Sequence, residues 1–181
     1  YKAYHQIAVD KDALPECVRL AKRYAKGKRL PDAAIDLLDR TMASIKMLDE
    51  LSPKGLAKWK VEYDHKLDEV YEDDTEKIKE LQWMYGQLKN RISPILWGSL
   101  SEQPEIESNA TVAEIMLLID AVYTELLTYA AIKRTKVGKL ELAAVMAAKT
   151  NIPIGKIQAQ EKDKLLKMET HLLKRVVGQD H

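Results

Sequence analysis

Two short acidic runs, Asp68-Glu69 and Glu72-Asp73-Asp74, are the densest groups of side chains that could exchange protons with a substrate. General acid–base catalysis needs a carboxyl group whose pKa is shifted toward the working pH, and burial in a cleft produces that shift. Both runs stand among polar residues at the ends of predicted helices, where solvent surrounds them. We therefore interpret them as solvated helix ends and predict no catalytic residue in either run.

Glycine followed by lysine, a pairing that phosphate-binding loops contain, occurs at Gly27-Lys28 and at Gly138-Lys139. Such a loop also needs an earlier glycine for close backbone approach and a Ser or Thr after the lysine. Neither pair has these neighbours. We therefore expect the chain by itself neither to hydrolyse ATP nor to bind it tightly.

The side chains that coordinate transition metals are too dispersed to form a site. Zinc sites bring His, Cys or carboxylate ligands together at helical or hairpin spacing, whereas the four histidines are scattered: His5, His65, His171 and His181. The single cysteine, Cys17, excludes an internal disulfide and stands at an apolar position of a predicted helix, which favours a buried structural role. The sequence predicts no metal site and no cofactor held by this chain alone.

The composition favours an all-α fold. The chain has 181 residues, of which 46% are hydrophobic and 31% are charged, with seven glycines, six prolines and no phenylalanine. Long stretches rich in Ala, Leu, Lys and Glu favour helix over sheet on propensity alone. The length is sufficient for one domain or two small ones.

Charge divides the chain into three zones, because residues 1–50, 51–131 and 132–181 carry net formal charges of +2, −7 and +6. An acidic middle argues against nucleic-acid binding, which needs clustered Lys and Arg. No apolar run approaches the roughly 20 residues that cross a bilayer, and the start of the chain lacks the shape of a signal peptide. We expect a cytoplasmic protein without membrane or nucleic-acid partners, and an excised section of a longer chain.

Apolar residues spaced three and four apart predict the first two helices. Asp10 is the predicted cap of the first, whose stripe consists of Leu14, Cys17, Val18, Ala21 and Tyr24, and Gly27 ends it. Pro31 starts the second, whose buried stripe consists of Ile35, Leu38, Met42, Ile45 and Leu48. The Ile7-Ala8-Val9 segment has strand character but is too short to assign.

The middle zone predicts three amphipathic helices with coiled-coil-like spacing. Their apolar stripes are Leu56, Trp59, Tyr63, Leu67 and Val70; then Ile78, Leu81, Tyr85, Leu88 and Ile92; then Val112, Ile115, Ile119, Val122, Leu126 and Tyr129. Capping boxes are predicted at Asp73 with Glu76 and at Thr111 with Glu114. Short polar breaks would make these helices pack antiparallel as a bundle.

The remaining predictions are one disordered segment and two further helices. The segment from Gly98 to Asn109 is rich in Ser, Glu and Pro and is the stretch that we expect to be disordered. Helices are predicted from Lys139 to Lys149 and from Lys164 to Arg175.

Trp83 falls between the stripe positions of its helix and is therefore the aromatic residue that we expect to be exposed for a partner. Glu80, Asp73 and Asp74 lie on the same acidic helix and are candidates for the same contact. On the residues alone, the chain is a helical interaction or regulatory module.

Three ordered segments resemble the Clp-type AAA+ ATPases. Residues 20–39, with Leu-Pro-Asp-Ala-Ala-Ile-Asp-Leu-Leu-Asp at 30–39, resemble the lid motif of the first ATPase module. Residues 142–156, with Thr-Asn-Ile-Pro-Ile at 150–154, resemble the segment that closes this module, with Asn151 where the family has glycine, a replacement that suits a positive φ. Residues 161–179, ending in Val-Val-Gly-Gln, resemble the start of the second module.

The resemblance implies a helical lid in residues 1–50, an inserted coiled-coil middle domain in 51–131, a lid-closing helix and linker in 132–155, and the start of the second module in 156–181. It also implies two groups of residues beside bound nucleotides: Pro31, Asp32 and Ile35 at the first, and Val176, Val177, Gly178 and Gln179 at the second. ATP and magnesium would be bound by the parent chain, which we expect to be an ATPase.

By the same resemblance, the parent assembles into a ring, expected to be a hexamer, and the inserted arm engages a partner chaperone or an adaptor. Its substrates would be unfolded or aggregated proteins, as in a disaggregase chaperone of the stress response. The alternatives are the regulatory ATPase subunit of a Clp-type protease and a free-standing helical scaffold.

Overall fold

The computed structural model describes residues 7–25, 27–50 and 52–159, and in these residues the fold is all-α apart from one two-stranded parallel sheet. The helices are α1 (Ala13–Tyr24), α2 (Asp32–Glu50), α3 (Ser52–Asp68), α4 (Asp74–Arg91), α5 (Pro94–Ser99), α6 (Val112–Ala130) and α7 (Lys139–Thr150). The strands are β1 (Ala8–Val9) and β2 (Lys136–Val137), and residues 154–159 are also helical. The predicted all-α class is confirmed, whereas the predicted helix from Lys164 to Arg175 lies outside the described residues.

A first core is formed by α1, α2 and α7, with contributions from β2 and from Ile95 of α5. Small side chains on α7, among them Ala143, Ala144 and Ala147, let α5 approach closely. A Cβ atom on Gly98 of α5 would lie 1.7 Å from the carbonyl oxygen of Ala144, so this contact requires glycine.

The predicted stripe of α1 is wrong in two of its members, because Leu14 and Val18 are 53% and 46% exposed. Ala13 and Leu20 are buried in their place. Cys17 of the predicted stripe is also buried, and its thiol donates a hydrogen bond to the Ala34 carbonyl at 3.0 Å. Both stripes have helical spacing, and the close approach of α2 selects the one with the smaller side chains.

Asp10 is not the helix cap that the sequence predicts. The residue before α1 is Asp12, and its side chain makes no capping hydrogen bond. The Asp10 backbone N–H donates to the Val137 carbonyl at 2.9 Å, and its carboxylate pairs with Lys136 at 3.0 Å. Asp10 therefore extends the contact between β1 and β2.

A second core is formed by α3, α4 and α6 together with Leu96 and Trp97 of α5. Trp59 lies at its centre: the indole N–H donates to the Met84 carbonyl at 2.8 Å, and the ring stacks on Tyr63 and Tyr123 at centroid distances of 4.9 and 5.6 Å. Most predicted stripe positions of these helices are buried, including Leu56, Leu88 and Leu126.

The helix directions differ in part from the predicted antiparallel bundle. Gly55 of α3 faces the Arg91 carbonyl of α4, and Lys66, three turns later in α3, pairs with Glu80, three turns earlier in α4, so α3 and α4 are antiparallel. α6 also runs opposite to α3, since Tyr123, in the second half of α6, stacks on Trp59, in the first half of α3. α4 and α6 therefore run in the same direction, because α5 and the segment 100–111 return the chain to the end of the second core at which α4 begins.

The segment from Gly98 to Asn109 does not behave as the disordered loop that its composition predicts. Gly98 and Ser99 are buried in α5, the Tyr85 hydroxyl donates to the Pro104 carbonyl at 2.8 Å, and the Ser101 N–H donates to Glu125 at 2.7 Å. These contacts hold the segment along α4 and α6.

Two stripe positions and one capping box also differ from their predictions. Val70 is 99% exposed because α3 ends at Asp68, and Ile35 is 40% exposed. Asp73 accepts the Glu76 N–H, but the Glu76 carboxylate accepts from Glu72 rather than from Asp73, so only half of that predicted box forms. The box at Thr111 and Glu114 is complete.

Candidate functional site

The start of α2 brings Pro31, Asp32 and Ile35 onto one exposed surface. The Leu30–Pro31 peptide bond is cis, and the Pro31 carbonyl accepts the N–H groups of Ala34 and Ile35 at 3.0 and 3.1 Å. Pro31 lacks an N–H and so is tolerated at a helix start. The three residues present an apolar edge with one carboxylate, a surface that could border a planar ligand.

The other four residues assigned to a nucleotide, Val176, Val177, Gly178 and Gln179, lie outside the described residues. Their placement remains a prediction.

One turn into α2, three cations converge on the Asp36 carboxylate. Lys28, Arg40 and Lys149 lie 3.2, 3.1 and 3.6 Å from it, and they come from the preceding loop, from α2 and from α7. Burial opposes ionisation of Asp36, but hydrogen bonds from Lys28 and Arg40 outweigh it and hold the pKa below its usual value. The cluster ties α7 to the edge that carries Pro31, Asp32 and Ile35.

Asn151 closes α7 with a φ of 54°, the left-handed conformation that its position in the motif predicts. Asparagine adopts this conformation more readily than most residues do.

On α4, the residues proposed to meet a partner occupy different environments. Trp83 is 52% exposed, as predicted, and Asp74 is exposed in the first turn. Asp73 caps the helix, and Glu80 pairs with Lys66 at 3.3 Å. Asp73 and Glu80 therefore have structural contacts of their own, and Trp83 and Asp74 are the freer surface groups.

A serine junction, made of Ser44, Ser52 and Ser93, joins the two cores and was missed by the sequence analysis. The Ser93 N–H donates to Ser52 Oγ at 2.9 Å, and Ser93 Oγ donates to the Ser44 carbonyl at 2.7 Å. All three side chains are buried. A signal is present in the sequence, because Ser52 and Ser93 each precede a proline, and the residue before a proline disfavours helix.

In the part of the chain that the structure describes, no group of three or more His, Cys, Asp or Glu side chains could hold a metal ion. No helix in these ranges has the length and apolar character needed to cross a membrane.

Comparison with known proteins gives one family and several relatives. The model of the AAA lid domain matches residues 1–91. The chain is 28% identical over 188 residues to the negative regulator of genetic competence ClpC/MecB of Bacillus subtilis, and 28% identical over 183 residues to the ATP-dependent Clp protease ATP-binding subunit ClpE of the same organism. It is 27% identical over 232 residues to the chaperone protein ClpB of Vibrio cholerae.

Each of these matches covers 99% of this chain but only 19%, 21% and 25% of ClpC/MecB, ClpE and ClpB, respectively. The chain thus spans about a fifth to a quarter of the length of these relatives.

Proposed function

Because the chain belongs to the AAA lid domain family, we propose that it forms the lid and the inserted regulatory arm of an ATP-driven, Clp-type protein-remodelling ATPase. In this proposal, residues 1–50 and 132–155 form the lid, 51–131 form the arm, and 156–181 begin the second ATPase module. The complete protein would bind ATP and magnesium, assemble into a ring of six subunits in the cytoplasm, and act on unfolded or aggregated proteins.

The observation that carries this proposal is the way in which the second core is inserted into the first. α2 and α7 both belong to the first core, and the helices of the second core lie between them in the chain. An arm that is anchored at both ends in a lid can bias the position of the lid when a partner binds the arm. The arm would therefore regulate ATP turnover rather than carry it out.

In the lid, Pro31, Asp32 and Ile35 would border the base of the first nucleotide, and Val176, Val177, Gly178 and Gln179 the second. The exposure of Ile35, at 40%, supports a role outside the core for this apolar side chain. In the arm, Trp83, together with Glu80, Asp73 and Asp74, would meet a partner chaperone or an adaptor.

The lengths of the matched regions help to distinguish two candidate functions, the disaggregase chaperone and the regulatory ATPase of a protease. This chain aligns over 188 and 183 residues with ClpC/MecB and ClpE, but over 232 with ClpB, whose matched region therefore contains additional residues. This favours the regulatory ATPase of a protease as the function, with disaggregation as the second candidate. The two predict different activities of the complete protein: stimulation of a partner protease, or recovery of a heat-aggregated reporter enzyme with a partner chaperone.

The lid contact is tested in the complete protein with Ile35→Ala. We expect the KM for ATP to rise about three- to tenfold, as the loss of about 1 kcal/mol of apolar contact predicts. The matched control is Val61→Ala, because Val61 is 70% exposed on α3 and far from the nucleotide edge in the chain. An unchanged KM would remove Ile35 from the nucleotide site.

The arm contact is tested with Trp83→Ala, against Leu117→Ala, which alters an apolar side chain that is 74% exposed on α6. Basal ATP turnover should persist in both variants, while stimulation of that turnover by the partner chaperone or adaptor should fall only in Trp83→Ala. If the intact protein turned over no ATP at all, the free-standing scaffold would replace the ATPase proposal.

A further inference from the structure

A groove runs between the two cores, with walls from α2, α4, α5 and α7. It encloses about 460 Å³. Its apolar lining includes Met47, Ile92, Pro94, Trp97, Val145 and Ala148. We call it the junction groove, because Ser44 of the serine junction also lines it.

Three cations, Arg40, Lys89 and Lys149, line the junction groove, and no carboxylate is among its lining residues. Arg40 and Lys149 share the single carboxylate of Asp36, which Lys28 also contacts. Lys89 lies over the Trp97 ring, 5.1 Å from its centroid. The groove is thus positively charged although the arm that forms one of its walls belongs to the acidic zone of the chain.

A second hollow of about 310 Å³ also borders Lys89 and Trp97, and its lining includes Gln103, Pro104, Glu105 and Ile106. Two polar groups here are buried without a hydrogen-bond partner: the Trp97 indole N–H and both amide atoms of Gln103. Trp97 is only 3% exposed. Buried polar groups are nearly always paired, so these groups are available for hydrogen bonds with a ligand that brings donors and acceptors.

We propose that the junction groove binds a short acidic, amphipathic segment of a partner protein. Its apolar side chains would pack on the lining around Trp97, its carboxylates would face Arg40, Lys89 and Lys149, and its backbone would offer the hydrogen bonds that the Gln103 amide lacks. Since the walls come from both cores, the bound segment fixes the second core against the first. This site is separate from Trp83 and from the nucleotide edge, so it stands or fails independently of the proposed function.

The test is selection from an unbiased display library of 12-residue peptides on the full chain, followed by fluorescence anisotropy with the enriched peptide. We expect the enriched peptides to combine Asp or Glu with Leu or aromatic residues, and their affinity to fall as salt is added. Lys89→Glu and Lys149→Glu should each weaken binding by about tenfold or more.

Two matched variants sharpen the test. Lys79→Glu changes the same charge at an exposed position of α4 that does not line the groove, and it should leave binding unchanged. Gly86→Trp keeps every charge: a Cβ at Gly86 meets no atom within 4 Å, so the indole can fill the second hollow and block the peptide.

Loss of binding in Gly86→Trp and Lys89→Glu, with Lys79→Glu intact, supports the proposal. Enriched peptides that are basic or uncharged would overturn it. Equal effects of Lys79→Glu and Lys89→Glu, or undiminished binding to Gly86→Trp, would also overturn it. Thermal melts monitored by circular dichroism establish that each variant is folded, and Gly86→Trp decides the result if a lysine variant is not.

Discussion

The ion-pair cluster near the start of α2 depends on one side chain, Asp36, because Lys28, Arg40 and Lys149 all contact its carboxylate. Its carboxylate is 23% exposed, so solvent screens these ion pairs and their individual contributions to stability are small. These ion pairs instead fix the position of two segments, because they join the loop before α2 to the end of α7.

The lowered pKa of Asp36 predicts a pH-dependent contribution to stability. Because the folded pKa is below the unfolded value, the contribution is present above the unfolded pKa of roughly 4 and is lost as the pH falls through the folded pKa. Asp36→Asn should therefore be less stable than the natural chain at pH 7, and the difference should disappear as the pH falls below the folded pKa of Asp36. Urea titrations across this range measure the difference, and a difference that persists unchanged in acid would contradict the assignment.

Two tyrosines of the second core differ in one hydrogen bond. The Tyr63 hydroxyl is buried without a partner, and burial, with the charges of Asp120 and Asp64, raises its pKa to about 12. The Tyr85 hydroxyl donates to the Pro104 carbonyl at 2.8 Å. Burial, with the charge of Glu105, also raises the pKa of Tyr85 above its usual value.

Removing these two hydroxyls should have opposite effects. Tyr63→Phe deletes an unsatisfied buried group and should stabilise the fold by about 1 kcal/mol, whereas Tyr85→Phe deletes a made bond and should cost about 1 kcal/mol. Chemical denaturation of both variants gives the comparison. Equal losses in the two would mean that Tyr63 has a partner after all.

At the scale of the helices, periodicity identified the buried face wherever a neighbour covers the full length of the helix. Leu81, Leu88, Ile119 and Leu126 are all at most 1% exposed. Just beyond α3 the same periodicity fails at Val70, because the helix ends at Asp68 and helical spacing no longer determines which side chains are buried.

This contrast yields a stability prediction for the second core. Leu81→Ala or Leu88→Ala should lower the free energy of unfolding by roughly 2 to 4 kcal/mol, since each leaves a cavity. Val70→Ala, at a position that the sequence pattern also places on the stripe, should change it by less than about 0.5 kcal/mol. A large loss in Val70→Ala, measured by denaturant titration, would show that this turn is covered.

At the scale of the whole molecule, several elements belong to both cores. α2 contributes Met42 and Ile45 to the first core and Leu48 to the second, and α5 contributes Ile95 to the first and Leu96 to the second. Replacing all of residues 51–131 by a linker would therefore remove part of the first core as well, so single substitutions are the sounder test of the arm.

The serine junction should couple the two cores. Ser93→Ala removes the bond to the Ser44 carbonyl and the acceptor of the Ile95 N–H, and should cost about 1 to 3 kcal/mol. Amide hydrogen exchange should rise around Ser44 in α2 and in α5 together. Ser101→Ala, which alters an exposed contact with Glu125, is the control and should leave exchange at both places unchanged. Faster exchange at only one of them would argue against coupling through Ser93.

The sequence by itself determined what depends on neighbouring residues in the chain. The capping box of Thr111 with Glu114 and the left-handed Asn151 follow from local backbone chemistry, and both are present. The common surface of Pro31, Asp32 and Ile35 is likewise a property of one helical turn. Trp83 could be assigned to an exposed face because it falls off the stripe of its own helix.

Only the tertiary structure decided what depends on distant surfaces. It chose between two possible stripes on α1, exposing Leu14 and Val18, because burial is a property of the neighbour as well as of the helix. It set α4 and α6 in the same direction by turning the chain back through α5 and the segment 100–111. It also assembled Arg40, Lys89 and Lys149 into one groove from three helices, since groups far apart in sequence meet only when the helices between them have packed.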